Sequence, residues 1–420
     1  MAQRIIFEKL TADGKGLSHW QEKALFAVGP LPGETAWMKI DRHHKTYVEA
    51  SVKRFTETLP QRSPATEDHY LSCSPWQGVD YDYQLELKQG MLTDAFARQE
   101  VKIAAAVVGA PDRQHYRNKL EFSLRPGEDD KLQLAFHERG SVTELIAAPT
   151  GCILGTPAMN KAAIALLAKL NTLPEAALAQ SIIVRQSQAS KAVIGVVMVS
   201  ESVTADWSKL GTAKLAGVGV ARRVDHETMD LLWSQGTLEL EETIGDLKLT
   251  YPWEAFFQVN PPAFAQALQA IAKAVKPGAH VLDLYGGVGT IGLSVAATAA
   301  SVLGIEISPV ATRLAEVNAR TNNITNYQAM TSPSEHLDGA VFKDIDTVIV
   351  DPPRAGLHRR VIDRLLEVLP ERIIYLSCNP ITQARDLARL TEAYTPGTVT
   401  GFDFYPDTLH LESLVVLERR

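Results

Sequence analysis

Beyond Trp253 the chain alternates short apolar runs with helical ones, and few architectures accept that alternation. PAFAQALQAIAKAV (262–275) reads as a helix and HVLDLY (280–285) as a buried strand. A glycine-rich loop, a helix, SVLGIEI (301–307), another helix and DTVIVDPP (346–353) follow. Unbroken apolar strands separated by helices predict an α/β unit over 251–420, a doubly wound, mostly parallel Rossmann-like sheet.

The first sixty residues read differently. RIIFEKL, KALFAVG, TAWMKIDRHH and KTYVEASVKRF are strand-like and are separated by DGKG and GPLPGE turns. Short strands so closely spaced predict a small closed β-barrel of the oligonucleotide-binding type over 1–60. LPQRSPATED (59–68) is polar with two prolines and marks a boundary. Residues 61–250 then mix strands (KLQLAFHE, SIIVRQS, AVIGVVMVS) with the helix MNKAAIALLAKLNTL, an α+β pattern. YDYQLELKQGMLTDAFAR (81–98) predicts a helix whose apolar face carries Tyr83, Leu87, Met91 or Leu92, and Ala95.

HVLDLY runs into Gly286-Gly287-Val288-Gly289-Thr290-Ile291-Gly292, so a strand feeds a glycine turn and a helix. The spacing from Gly287 fits a dinucleotide fingerprint, and Glu306 at the next strand tip suits a ribose diol; both NAD and S-adenosylmethionine carry one. Asp283 favours S-adenosylmethionine, because a carboxylate there repels a pyrophosphate but can face a cationic ligand. Asp351, at the end of DTVIVDPP, sets a further acid at the same sheet edge.

Cys378 follows the apolar run RIIYLS and precedes Asn379-Pro380, so it ends a strand at that edge. Glu412 lies in the closing HLESLVVLERR. A thiol that attacks and a carboxylate that takes a proton are what carbon methylation of a pyrimidine needs. C5 of uracil is too weak a nucleophile alone; a thiolate adding at C6 makes it reactive, and a base then removes the C5 proton.

The net charge of −7 excludes a uniformly basic nucleic-acid binder, but residues 1–62 hold ten Lys/Arg against seven Asp/Glu, or +3. A local basic surface there can follow phosphates. Cys73, Cys152 and Cys378 are too few and scattered for a disulfide framework, which points to the reducing cytoplasm. The opening residues lack a signal-peptide pattern, and no segment reads as a membrane span.

These motifs bring the chain to a known family. FFQVNP (256–261), DLYGGVGTIGL (283–293), GIEIS (304–308), VDPPRAGL (350–357), SCNP with TQARDL (377–387) and the terminal H-x-E-S resemble, in order and spacing, the S-adenosylmethionine-dependent uracil-C5 RNA methyltransferases. The resemblance implies a class that makes 5-methyluridine in ribosomal or transfer RNA. It implies that Gln258, Tyr285, Glu306 and Asp351, with Asp283 and Gly287, hold S-adenosylmethionine. Cys378 is then the nucleophile, Glu412 the proton acceptor and Phe256 a neighbour of the target base. Arg117 and Lys119 of the YRNK segment become RNA contacts, the barrel is TRAM-like, and the protein is a monomer. A TRAM-like barrel tilts the expected target towards 23S rRNA rather than tRNA.

Many family members carry four cysteines that hold an iron–sulfur cluster. Only Cys73 and Cys152 stand in the corresponding regions here, and two thiolates do not hold a cluster that takes four. The expectation is therefore no iron–sulfur cluster and no metal ligand, with both cysteines as packing residues. Two other readings stay open: methylation of an exocyclic base nitrogen, against which Arg354 stands where a stacking aromatic is usual, and a non-catalytic RNA-binding factor.

Overall fold

A computed structural model describes residues 3–127, 129, 131–201, 205–211, 215–225 and 228–420. The N-terminal strands are β1 (Gln3–Ile6), β2 (Lys9–Leu10), β3 (Gly16–Trp20), β4 (Lys23–Ala27), β5 (Thr35–His43) and β6 (Tyr47–Glu57), in the order β1-β5-β6-β4-β3-β2. β1 pairs with β5 and β2 with β3, so two successive pieces of residues 3–10 cover both edges of the sheet. That arrangement leaves no long unpaired edge. Ile5, Phe7, Leu25, Met38 and Val48 fill its interior.

Helix α1 (Tyr70–Cys73) is one short turn, and α2 (Tyr81–Ala97) follows, with the Asp80 side chain accepting from the Tyr83 N–H. The buried face of α2 differs from the apolar stripe expected. Gln84 and Lys88 are buried with Met91, Leu92, Ala95 and Phe96, whereas Tyr83 and Leu87 are only half-buried. The reason is distant in sequence: acceptors on residues 403–407 face this helix and give the polar side chains partners.

Strand β7 (Ala105–Val108) leaves this region and pairs in parallel with a C-terminal strand. The central sheet comprises β8 (Lys119–Pro126), β9 (Leu132–His137), β10 (Leu145–Ala147), β11 (Ala179–Gln186), β12 (Val193–Val199), β13 (Gly217–Arg223) and β14 (Met229–Gly236), ordered β10-β9-β8-β11-β12-β13-β14. Helix α3 (Pro157–Leu170) packs across β11 and β12. The hairpin β15 (Glu239–Ile244) and β16 (Leu247–Pro252) adds Leu240, Leu249 and Tyr251 to the hydrophobic core that also holds Val281 and Ile349 of the C-terminal strands.

After α4 (Pro261–Ala274) come β17 (His280–Leu284), α5 (Thr290–Val295), β18 (Ser301–Glu306), α6 (Pro309–Thr321), β19 (Tyr327–Thr331), β20 (Thr347–Val350), α7 (Arg359–Val368), β21 (Arg372–Ser377), α8 (Pro380–Leu390), β22 (Tyr394–Pro396), β23 (Val399–Phe402) and β24 (Glu412–Arg419). The main path of the sheet runs β19-β18-β17-β20-β21-β24-β23-β7. The ladders β19-β18, β18-β17, β17-β20 and β20-β21 are parallel, while β24 is antiparallel to both β21 and β23. Strand order reverses between β17 and β20, which opens a crevice at the carboxyl ends of those strands. This is the expected doubly wound sheet with one inverted strand.

Local sequence sets the helix starts. Thr156-Pro157, Asn260-Pro261, Ser308-Pro309 and Asn379-Pro380 each put a capping side chain before a proline at the first helical position. There the missing N–H costs nothing and the fixed φ suits the helix. Pro380 therefore starts α8 as well as ending the strand path.

Candidate active site

Of the functional residues expected in the C-terminal part, Asp283, Tyr285, Gly287, Glu306, Asp351 and Cys378 lie at the carboxyl ends of β17, β18, β20 and β21, and Glu412 opens β24. Glu306 closes β18; its Oε2 accepts from the Gly287 N–H at 2.9 Å and its Oε1 from the Ser308 N–H at 2.8 Å. Tyr285 has φ of 65°, a left-handed conformation that aims the chain into the turn. Gly287 has φ of 55°, and a Cβ built on it would meet nothing within 4 Å, so space lies against this backbone. Asp283 is fully buried: Oδ2 accepts from the Gly292 N–H at 2.9 Å, while Oδ1 has no protein partner. One oxygen thus shapes the loop and the other is left to a ligand. Gln258 is buried, its backbone carbonyl accepting from Asn118 Nδ2 at 3.1 Å.

Three acids and a thiol share this edge. Burial, with Asp351 and Glu306 nearby, pushes Asp283 up to about 7. Burial does the same to Asp351, also to about 7. The residues present fit a cationic, diol-bearing ligand such as S-adenosylmethionine: two acceptor-rich carboxylates, an orphaned buried oxygen and open space at Gly287.

Cys378 and Glu412 are brought together by strand register. β21 and β24 pair Ser377 with Ser413, so the next pair outward is Cys378 and Glu412. Cys378 is half-buried and Glu412 is buried. Burial first, then the Glu412 and Asp351 charges, raise the Cys378 thiol to about 12; Arg354 opposes this. Burial and Asp351 hold Glu412 well above the usual carboxylate range. Tyr405 donates to Glu412 Oε1 at 3.2 Å, and Glu412 Oε2 has no protein partner. His410 is pushed down to about 4 by burial and then by Arg354, so its ring is neutral near pH 7. Burial and the mutual repulsion of the acids and the thiol favour their protonated forms.

Cys378 opens into a cavity of about 200 Å³ lined also by Lys15, Arg139, Arg354, Asn379 and His410. Ala12 and Asp13, in the turn between β2 and β3, contribute to the same wall. Arg117 lines an adjoining cavity of about 300 Å³, which shares Arg139, Leu409 and His410 with the first. Two expected RNA contacts lie elsewhere. Lys119 sits opposite Arg185 on the central sheet, and Phe256 is 77% exposed; neither lines the cavity holding Cys378. Arg113 donates to Asp407 and to the Val79 carbonyl.

Sequence reasoning missed Tyr405 and what holds it. Lys88 Nζ bonds Asp403 Oδ1 at 2.5 Å and the Tyr405 carbonyl at 3.1 Å. Gln84 and Asp407 exchange two hydrogen bonds, of 2.8 and 3.0 Å. The polar face of α2 thus clamps the segment that delivers Tyr405, His410 and Glu412. A lysine and a glutamine on a helix facing an Asp-rich DFYPD segment was the available signal, but only with the pairing known. Cys152 sits in the central hydrophobic core with Cys73 packed against it, the packing role expected of them, and Glu67 and His69 join them in one cluster.

Comparison with known proteins gives a consistent picture. The family model described as tRNA (uracil-5-)-methyltransferase matches residues 80–420. An uncharacterized RNA methyltransferase of Enterococcus faecalis is 30% identical, the alignment covering 98% of this chain and 95% of that protein. One from Bacillus cereus is 27% identical over 99% and 96%. Among solved structures, the Pyrococcus abyssi tRNA (uracil-54, C5)-methyltransferase in complex with S-adenosyl-L-homocysteine has a TM-score of 0.77 at 22% identity, covering 99% of this chain and 100% of that one.

Proposed function

The chain belongs to the tRNA (uracil-5-)-methyltransferase family, a class of S-adenosylmethionine-dependent RNA uracil-C5 methyltransferases, and on that premise we propose that it works through a covalent bond from Cys378 to C6 of an unpaired uridine. The carrying observation is the strand register that sets Cys378 beside Glu412 at the sheet edge where Asp351 and the glycine loop converge.

In this mechanism Gln258, Tyr285, Gly287, Glu306, Asp283 and Asp351 hold the donor. S-adenosylmethionine supplies an electrophilic methyl group on a positively charged sulfur. The Cys378 thiolate adds its electron pair to C6, and the ring electrons move toward C5 and O4. C5 would then take the methyl group, whose bond to the donor's sulfur breaks with the electron pair left on that sulfur, now neutral. The Glu412 carboxylate removes the remaining C5 proton, and the freed pair restores C5=C6 and expels the thiolate. Tyr405 steadies the ionised Glu412. A raised thiol suits this sequence: Cys378 stays protonated in the acid-lined site, and a positive charge beside Asp351 and Glu412 favours its ionisation, the proton leaving to solvent.

The target base must leave its stack to reach the half-buried sulfur, so a loop or bulge is the expected substrate. The proposed division of labour gives chemistry to 251–420 and RNA recognition to 61–250 and the N-terminal barrel at 1–60. His44 stacks on Tyr47 with ring centroids 4.1 Å apart, and His43 lies 5.5 Å from Trp20, beside Arg42 and Lys45. This aromatic and basic tip supports a barrel that grips RNA, and on that ground 23S rRNA is the proposed target.

Transcripts of 23S rRNA and tRNA, incubated with enzyme and labelled donor, test the reading. Label at C5 of a uridine is expected, with none from Cys378→Ala. RNA carrying 5-fluorouridine should stay bonded to Cys378 under denaturing conditions, because fluorine cannot leave as a proton. Full activity of Cys378→Ala refutes the thiol mechanism, and label confined to tRNA refutes the target.

A further inference from the structure

Away from the reacting residues, Glu67, His69, Cys73 and Cys152 each turn one donor atom toward a common point, all four within 4.8 Å of one another. We propose that these residues form a tetrahedral Zn²⁺ site that pins helix α1 to the central region of the protein.

The donor set is two thiols, one imidazole and one carboxylate, the borderline-soft mixture that zinc takes in closed structural sites. Zinc bonds of about 2.0–2.3 Å in a tetrahedron require ligand atoms roughly 3.3–3.8 Å apart. His69 Nδ1 and Cys73 Sγ already stand at 3.3 Å, and the whole set needs only a small contraction.

The surrounding hydrogen bonds orient these ligands. His69 Nε2 lies 2.9 Å from the Gly151 carbonyl, which can only accept, so Nε2 carries a proton and Nδ1 is the ring atom that faces Cys73. Glu67 Oε1 accepts from the Ile153 N–H at 2.7 Å and Oε2 from Gln77 Nε2 at 3.1 Å, which fixes the carboxylate plane. Outer contacts of this kind commonly set metal ligands in place.

The position also explains why a metal would be useful. Helix α1 has four residues, all half-buried, and no side-chain cap; Leu71 and Cys73 pack only partly against the N-terminal and central cores. Arg139 reaches back to the Leu71 and Ser72 carbonyls, yet nothing covalent joins α1 to Cys152, 79 residues after Cys73 in the chain. A bridging ion closes that loop and steadies the cavity that Cys73, Cys152 and Arg139 share with His410.

Metal analysis of the untagged full chain tests this. One equivalent of zinc per chain is expected, falling to background in Cys73→Ser and Cys152→Ser and unchanged in Cys378→Ala. Cobalt added to metal-stripped wild type should give thiolate-to-cobalt charge-transfer absorption and tetrahedral d–d bands. That titration decides the matter if the serine variants fail to fold. Folded wild-type protein with neither zinc nor a cobalt–thiolate signal overturns the proposal, and so does iron accompanied by acid-labile sulfide.

Discussion

Replacing Lys88 with methionine would remove one charge from a fully buried pair and leave the other. The Lys88 and Asp403 side chains are both 0% exposed and meet at 2.5 Å. Breaking such a pair typically costs about 3–5 kcal/mol, because a carboxylate stays desolvated without its counter-charge. Asp403 retains two donors, the Tyr81 hydroxyl at 3.0 Å and the Tyr405 N–H at 3.1 Å. The cost therefore belongs at the low end, about 3 kcal/mol. At about 1.4 kcal/mol per decade, opening of the 403–411 segment becomes roughly a hundredfold more frequent. Amide hydrogen exchange reads this directly, since peptides over 403–411 should lose about two decades of protection while the strands β17 and β20 keep theirs. In Lys88→Met combined with Asp403→Asn no buried charge remains, and most of the protection should return. Unchanged exchange in the single variant, or no recovery in the double, would refute the claim that this ion pair clamps the catalytic segment to α2.

Three further outcomes follow from the site. Tyr405→Phe removes the one hydroxyl donated to Glu412, so turnover near neutral pH should fall about tenfold and the pH profile should move to higher pH; an unmoved profile counts against the contact. Because Cys378 is raised to about 12 and Glu412 is also raised, both must lose protons to act, and kcat/KM should go on climbing above neutral pH towards about 12; a flat or falling profile contradicts that assignment. Asp283→Asn bears on stability. The folded carboxyl is raised from 3.8 to about 7, so its contribution is full below pH 4 and is lost as pH rises through 7. The neutral variant should accordingly be more stable than wild type at pH 8, by up to about 4 kcal/mol, and indistinguishable near pH 4, while binding the methyl donor more weakly. Thermal unfolding at the two pH values checks the sign.

The parts of the fold legible in sequence were those fixed by neighbours along the chain. HVLDLYGGVG shows a buried strand and its turn within ten residues, and the capping residue followed by proline marks four helix starts on the spot. Cys378 and Glu412 were legible because each sits where an apolar run meets a polar turn. Pairing across long separations was not. Lys88 and Asp403 are 315 residues apart, and an apolar stripe was expected where α2 in fact buries Gln84 and Lys88. Cys73 and Cys152 looked like isolated thiols because Glu67 and His69 acquire meaning as neighbours only once the chain has brought residue 152 beside them.

The hydrogen-bonded ladder between β21 and β24 has a consequence for how tolerant this enzyme is to change. Separation between sulfur and carboxylate is dictated by two adjacent backbones, not by the 33 residues (379–411) that join them. Loops within that connection, outside the clamped segment 403–411, can lengthen or shrink without moving either group. A slip of β24 by a single position would turn Glu412 to the opposite side of the sheet and silence the chemistry at once.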